Sequence, residues 1–260
     1  MLFRSAGVLG PQNSSGRTLS QIEQVHELIG NREVDIVVLS VGGNDVGFTS
    51  ILSTCALFVD CPLQKGVTSP LDKYASVQTG VQALTAELPN AYARIANCLG
   101  ARACRSANGA PMKALKLSNE GRVLPMTYPD ITRAANGAPC RYLTLGASDF
   151  AWARDTILVP QAVNPYPYTT YRGKTENLST TQGTLNGHIV GTSSLGWTPV
   201  VGIWGSSGES TTGHGVCAGQ DAWVFGITGI TGPFAGASFH PNPAGQNAMG
   251  AQIARVLGVS

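Results

Sequence analysis

The sequence has little charge: only 12% of its 260 residues are Asp, Glu, Lys or Arg, about half the share of an ordinary soluble protein. With 17 basic and 15 acidic residues, the formal net charge is +2. Binding to nucleic acid depends on a basic excess that neutralises phosphates, so this composition argues against a nucleic-acid partner. No apolar run approaches the roughly 20 residues that span a bilayer, and the sequence therefore predicts no transmembrane segment.

The six cysteines include no CxxC pair, a spacing typical of zinc sites. The first four form two pairs six residues apart, which suits disulfides that close short loops, and the last two would then pair with each other. The expected bonds are Cys55–Cys61, Cys98–Cys104 and Cys140–Cys217. Metal binding is the alternative, but no His lies beside the first four cysteines. Disulfides indicate an exported protein, whereas residues 1–17 contain no apolar segment of signal-peptide length.

Hydrophobic patterning predicts strands that alternate with helices. Near-continuous apolar runs, typical of strands buried on both faces of a sheet, cover 34–41, 122–128 and 197–204. Helical patterns cover 19–29, 76–98 (interrupted near Pro89), 148–163 and the segment from 243 onwards. This alternation predicts an α/β fold whose parallel sheet is covered on both faces. With no internal repeat and no linker, residues 1–260 are predicted to form one domain.

The predicted helix ends carry their own signals. Ser20 and Glu23 can form a capping box at the start of the first helix. Ser148 is the expected N-cap of the helix over 148–163, and Asn242 followed by Pro243 opens the last helix. Four apolar residues of that last helix are expected to face inward: Ala244, Met249, Ile253 and Val256.

Two loops expected at the carboxyl ends of strands contain residues that can carry chemistry. Gly42 and Gly43 allow a sharp turn after the first strand, and the carboxamide of Asn44 can then donate to an oxyanion during acyl transfer. The alternative is a turn that only satisfies its own hydrogen bonds. His240 lies before a proline and a helix start, which suits a general base, although a structural role is equally open. The other histidines, His26, His188 and His214, are interpreted as structural.

These segments resemble a known family. DIVVLSVGGNDVGF (35–48) resembles the third block of the SGNH, or GDSL, hydrolases, and SFHPNPAGQ (238–246) resembles their fifth block. The connecting segments 128–143 and 213–223 are similar to those of the secreted bacterial lipases and esterases of this family, and a Cys140–Cys217 pair fits that subgroup. The resemblance implies a three-layer α/β/α sandwich of flavodoxin-like topology. It also implies hydrolysis of carboxylic esters with no metal or organic cofactor.

The resemblance also implies roles for individual residues. His240 matches the base that activates a serine, and Asn44 matches the oxyanion donor. Gly7 matches the glycine whose backbone N–H completes the oxyanion hole. The acid that stands three residues before the histidine in the full triad is replaced here by Ala237. Some secreted members hold the imidazole with a backbone carbonyl instead, which can also fix its tautomer.

The nucleophile is the larger departure from the family. The Gly-Asp-Ser block should lie upstream of Gly7, so we expect the chain to be shortened at its N-terminus, without the first strand and the nucleophile. Such a truncation would also explain the missing export signal. Ser148 opens a helix, Ser5 has no strand before it, and the loop 205–210 is typical of a flexible connection. None of these serines is therefore assigned as the nucleophile.

Two functions follow from these expectations. The first is a secreted ester hydrolase that acts on a small ester, a lipid or an acylated glycan. The alternative is a catalytically inactive module that binds glycan or lipid on the same scaffold, for example through the Tyr- and Thr-rich stretch 164–186. Loss of a central strand would expose the apolar faces of its neighbours, so the chain is also expected to associate.

Overall fold

The computed structural model describes residues 8–10, 19–100, 103–143, 145–158, 183–201, 213–226 and 239–259. The predicted alternation of strands and helices is met only in part, since three α-helices separate the two strands in these ranges and three more follow the second strand. In chain order they are α1 Gln21–Ile29, β1 Val34–Leu39, α2 Phe48–Cys55, α3 Val77–Thr85, α4 Leu88–Cys98, β2 Leu117–Pro125, α5 Ala147–Ala153, α6 Leu185–Gly191 and α7 Pro243–Leu257. A π-helical turn, Arg154–Leu158, continues α5.

The two strands pair in parallel, which confirms an α/β arrangement with a parallel sheet. Val37 lies opposite Val123 and Val38 opposite Leu124. Just beyond β2, Met126 forms a parallel bridge with Val200, inside the third predicted strand. Only residues 197–201 of that prediction are described, and the rest lies outside the described residues. Because the pairing is parallel, the carboxyl ends of β1 and β2 meet at one edge of the sheet.

Alternate side chains of β2 contribute to two separate apolar clusters. Val123 belongs to the larger cluster, which also contains buried residues of α1, α3, α4 and α6. Leu124 and Met126 join Val200 in a second cluster, against which one face of α7 packs. The side chains of α7 in that contact are Met249, Ile253, Val256 and Leu257. Ala244 was expected to join them, and that prediction is wrong, since Ala244 is exposed at the start of α7.

The prediction that β1 is buried on both faces is also wrong. Ile36 and Val38 are 43% and 44% exposed. Paired residues of parallel strands point to the same face, so Val38 shares its face with Leu124. The helix α7 packs over Leu124 and its neighbours, and the part of that face contributed by β1 stays exposed.

The helix ends follow the sequence signals closely, with one exception. Ser20 and Glu23 form the predicted capping box at α1. The predicted helix over 76–98 is divided into α3 and α4, with Pro89 in the first turn of α4. The exception is α5, whose N-cap is Gly146 instead of Ser148. The helix begins earlier because the carboxylate of Asp149 accepts a hydrogen bond from the Gly146 N–H at 2.9 Å.

The six cysteines form the three predicted disulfides, Cys55–Cys61, Cys98–Cys104 and Cys140–Cys217. The first two bonds each join residues six positions apart, and the third joins residues 77 positions apart. The third bond ties the loop after β2 to the segment 213–226, which in turn pairs with Pro241, just before α7. It therefore restrains a much longer part of the chain than the other two.

Replacing Cys140 and Cys217 with Ala should lower the free energy of unfolding by about 4 kcal/mol, since the bond closes a loop of 77 residues. The matched control, C98A/C104A, opens a loop of only six residues and should cost about 2 kcal/mol. Urea denaturation of the two variants and the wild type measures both losses. Equal losses would contradict this ordering.

Candidate active site

The carboxyl ends of β1 and β2 border a cavity of about 300 Å³ with a mostly apolar wall. This volume is at the lower end of the range for small-molecule sites. Its apolar wall includes Phe48, Ile51, Phe150, Ile157, Leu185 and Phe239. Asn44 and His240, the two site residues predicted from widely separated segments, both line this cavity.

The turn that carries Asn44 requires both of the glycines before it. Gly42 has a φ of +112°, and a Cβ there would lie 2.7 Å from side-chain atoms of Leu185 and Tyr92. At Gly43 a Cβ would lie 2.9 Å from the Tyr128 hydroxyl. The first glycine is needed for its backbone conformation and for space, and the second for space alone. The turn is therefore packed tightly against its neighbours.

The buried Tyr92 and the partly buried Tyr128 hold this turn in place. The Gly43 N–H donates to the Tyr128 hydroxyl at 2.9 Å, and the Ser40 side chain is hydrogen-bonded to the same hydroxyl. On the other side, the Tyr92 hydroxyl donates to the Val41 carbonyl at 3.3 Å. Burial raises the pKa of both tyrosines, so they are neutral at physiological pH. The exposed side chain of Asn44 thus extends from a turn that is fixed on both sides.

The backbone of Tyr128 is fixed in turn by α6. The buried Asn186 side chain accepts a hydrogen bond from the Tyr128 N–H at 2.7 Å and donates one to the Tyr128 carbonyl at 2.9 Å. It also donates to the carbonyl of Leu158 at 2.7 Å. Sequence reasoning missed Tyr92, Tyr128 and Asn186. No local pattern marks them, because they act on segments that are 51 to 85 positions away.

Asp45 follows Asn44 and is mostly buried. Burial raises its pKa from 3.8 to about 7, outweighing the opposite effect of the hydrogen bond with its own backbone. Its Oδ1 atom is buried without a hydrogen-bond partner among the described residues. A carboxyl group in such a place is held largely protonated below neutral pH, which avoids burying an unpaired charge.

Asp45 should make folding stability depend on pH. The unfolded state loses this proton above about pH 4, and the folded state keeps it until about pH 7. The stabilisation that the protonated Asp45 gives the folded state is therefore fully present below pH 4, declines between pH 4 and 7, and is absent above pH 7. Between pH 4 and pH 8 the wild type should lose up to roughly 4 kcal/mol of its free energy of unfolding through this carboxyl group. Asp45→Asn has no such group, so its stability relative to the wild type should rise by that amount over the same range. Urea denaturation at both pH values measures this difference, and a pH-independent difference would contradict the assignment.

His240 is held by a short antiparallel pairing with the segment 223–226. The Phe239 N–H donates to the Phe225 carbonyl at 3.1 Å, and the Phe225 N–H donates to the His240 carbonyl at 2.9 Å. Phe239 has a positive φ of 61°, and its ring makes an edge contact with Phe48 at 6.4 Å. This contact ties the His240 loop to the first residue of α2, which follows the Asn44 turn.

The next residues anchor the His240 loop to α7. The Asn242 side chain caps the helix by accepting a hydrogen bond from the Gly245 N–H at 3.0 Å, as predicted. It also donates to the Ala222 carbonyl at 2.6 Å. A Cβ at Gly245 would lie 2.2 Å from the Trp223 carbonyl oxygen, so α7 begins in close contact with the neighbouring segment. The His240 backbone is therefore restrained on both sides, while its side chain is exposed at the cavity.

The other three histidines do not line the cavity. His214 stacks on Trp223 at 3.9 Å, with its Nδ1 atom 2.6 Å from the Asp221 carbonyl. His188 is buried in α6, and burial lowers its pKa to about 4. His26 lies in the last turn of α1.

Of the serines considered as nucleophiles, the described residues include Ser148, which does not line the cavity. Ser148 is exposed in the first turn of α5, and its hydroxyl donates to Asp60 at 3.5 Å. Gly7, Ser5, Ala237 and the loop 205–210 lie outside the described residues. Ser40, at the end of β1, does line the cavity, and sequence reasoning did not single it out.

No protein-family model matches the sequence, and none of the curated proteins matches it. Two solved structures are similar to it over 98% of this chain and 94% of theirs. An extracellular lipase from Streptomyces rimosus has a TM-score of 0.47 at 14% identity. Phospholipase A1 from Streptomyces albidoflavus NA297 has a TM-score of 0.44 at 17% identity. Structural similarity at this level does not indicate the chemistry, which is inferred from the residues of the site.

Two properties of the described ranges bear on membrane and metal binding. None of the helices there combines the length and the hydropathy that crossing a membrane requires. Nor do three or more His, Cys, Asp or Glu side chains gather there into a group that could hold a metal ion.

Proposed function

We propose that this protein hydrolyses carboxylic esters, with the acyl group in the cavity between Asn44 and His240. One observation carries the proposal: Asn44 and His240, from segments 196 positions apart, line one cavity with an apolar wall. Acyl transfer needs a hydrogen-bond donor for the oxyanion and a base for the attacking group. An apolar wall beside these groups suits an acyl chain.

The chemistry follows the serine hydrolase scheme. A serine hydroxyl attacks the ester carbonyl while His240 takes its proton, and His240 then returns a proton to the departing alcohol. Asn44 donates to the oxygen that becomes negative in the tetrahedral intermediate, and the N–H of Gly7 is the proposed second donor. Water then releases the acid by the same route. The clamped turn favours this role because a fixed donor needs no reorganisation during the reaction.

The layer arrangement of the fold, secretion of the protein and the type of ester are part of the same proposal. A three-layer α/β/α sandwich of the SGNH type is supported by the two clusters on opposite sides of β2. Secretion is supported by the three disulfides, which persist in oxidising compartments. The apolar wall favours a lipid or another ester with an apolar acyl group over an acetylated glycan.

Substitution at the two site residues tests the mechanism. Asn44→Ala should lower kcat for p-nitrophenyl octanoate about 10²- to 10³-fold, because one oxyanion donor is lost. His240→Ala should lower it by about 10³-fold or more, because the serine loses its base. Matched controls are Asn31→Ala and His26→Ala, which lie away from the cavity and should leave kcat unchanged.

The assays use both the 260-residue chain and a version extended to upstream in-frame codons. Labelling with a fluorophosphonate, followed by mass spectrometry of the labelled peptide, identifies the serine. Turnover that survives His240→Ala would overturn the mechanism. Binding of esters without turnover or labelling in either version would favour the inactive binding module.

The cavity volume also sets an expected acyl length. An apolar cavity of about 150 Å³ holds one benzene ring, so a cavity twice as large holds about twelve non-hydrogen atoms. The ratio kcat/KM over p-nitrophenyl esters should therefore peak at about eight to twelve acyl carbons. Ala153→Phe, which adds a ring at the cavity wall, should move this peak to shorter chains, whereas Ala151→Phe on the same helix should not. A maximum at the acetyl ester in the wild type would contradict an acyl-binding role for the cavity.

A further inference from the structure

An unusual amount of apolar side chain is exposed next to the Cys55–Cys61 disulfide. Five of the twelve exposed large hydrophobic residues in the described part of the chain fall between positions 57 and 67. They are Leu57 (67% exposed), Phe58 (43%), Val59 (72%), Leu63 (72%) and Val67 (40%). We refer to these five side chains as the 57–67 surface. Apolar side chains grouped in this way mark interaction sites much more often than singly exposed ones do.

The backbone beneath the 57–67 surface is held rigidly. The disulfide closes the loop, and the buried Cys61 N–H donates to the Asp149 carboxylate at 3.0 Å. The N–H groups of Leu57 and Phe58 both donate to the Thr54 carbonyl at 3.0 Å. These contacts keep the apolar side chains directed outward, because the loop cannot turn them inward without losing the contacts.

The 57–67 surface directly follows, along the chain, a helix that lines the cavity. The helix α2 leads directly into it, and that helix contributes Phe48, Ile51, Leu52 and Cys55 to the cavity wall. Asp149, which anchors the loop at Cys61, lines the same cavity. One short helix and one anchored loop therefore connect the candidate site to the exposed surface.

The charge of this region is balanced. Asp60 and Lys65 are the charged residues between 57 and 67, and there are none between 48 and 56. A neutral apolar surface fits a partner that is itself neutral and apolar, and it provides no attraction for a strongly charged one. From the exposed fractions, the five side chains offer roughly 500 Å² of apolar surface, less than the about 800 Å² that each partner buries in a stable protein–protein interface. The area thus disfavours a second copy of the chain as the occupant.

We propose that the 57–67 surface docks the protein on the surface of a neutral or zwitterionic lipid aggregate. The choice of lipid rests on the proposed function, since esters with apolar acyl chains gather in aggregates and a docked enzyme meets them there. Docking inserts the apolar side chains among lipid chains and brings the cavity next to the lipid surface. No step of the hydrolysis depends on it, so binding and turnover can be measured separately.

Sedimentation of the full chain with phosphatidylcholine vesicles tests docking without any turnover. The triple variant L57S/V59S/L63S removes the three most exposed side chains of the surface and should lower vesicle partitioning by about a hundredfold or more. The matched control, L28S/L143S/V259S, removes side chains of similar exposure elsewhere and should change it less than about threefold. Raising the salt concentration from 0.05 M to 0.5 M should not weaken wild-type binding, because the contact is apolar.

Two measurements of hydrolysis, combined with vesicle binding, separate the possible outcomes. Hydrolysis of a monomeric short-chain ester should be unchanged in the triple variant, while hydrolysis of an emulsified ester should fall. A protein that binds vesicles but hydrolyses no ester would keep the docking surface and overturn the proposed function. Wild-type protein that hydrolyses esters but ignores vesicles, or a triple variant that binds like wild type, would overturn docking.

Light scattering tests whether a second copy of the chain, instead of lipid, occupies the 57–67 surface. A wild-type dimer that becomes monomeric in the triple variant, with vesicle binding unchanged, would assign the surface to a second copy and overturn docking. If the triple variant melts below the wild type, the single variant V59S replaces it and should weaken vesicle partitioning by about tenfold.

Discussion

The site depends on one hydrogen bond, from the Gly43 N–H to the hydroxyl of Tyr128. Gly43 follows β1 and Tyr128 follows β2, so this bond joins the loops at the carboxyl ends of two paired parallel strands. A Cβ at position 43 would lie 2.9 Å from that hydroxyl, so glycine there leaves room for the bond without a shift of the tyrosine. Asn186, from α6, fixes the tyrosine backbone on the opposite side. The placement of Asn44 is therefore a consequence of sheet pairing and helix packing together.

The far wall of the cavity is stabilised by a buried ion pair. Arg154, in the π-helical turn after α5, lies 3.3 Å from the carboxylate of Asp130, in the loop after β2, and both side chains are almost fully buried. Asp130 also accepts a hydrogen bond from the Thr132 N–H at 2.9 Å. Removing one partner of such a pair typically costs about 3–5 kcal/mol, because the other charge is left buried and uncompensated. The loop and the π-helical turn are thereby held together, and the apolar residues beside them form the cavity wall.

The proposed hydrolysis of apolar esters on lipid aggregates explains both the low charge of the chain and its apolar surfaces. A protein that acts on long acyl esters needs an apolar cavity, and docking on lipid aggregates favours an apolar, uncharged exterior next to it. The disulfide at Cys55 and Cys61 fulfils both needs, because it fixes the 57–67 surface while Cys55 itself lines the cavity. The exposed Ile36 and Val38 of β1 have a different origin, since α7 packs over β2 and leaves that part of the sheet face exposed.

The sequence by itself determined the features that depend on neighbouring residues: the capping box at Ser20, the N-cap at Asn242, the strand over β1, the cysteine pairs of short spacing and the glycines before Asn44. Each is a short-range signal, in which a few adjacent side chains satisfy the backbone or set its conformation. Only the tertiary structure decided that Tyr128 and Tyr92 clamp the Asn44 turn, that burial raises the pKa of Asp45, and that one face of β1 stays exposed. These outcomes depend on contacts across 51 or more positions, or on which helix covers which part of the sheet. Such contacts leave no periodic pattern in the sequence, because the strand order and the packing of the helices create them.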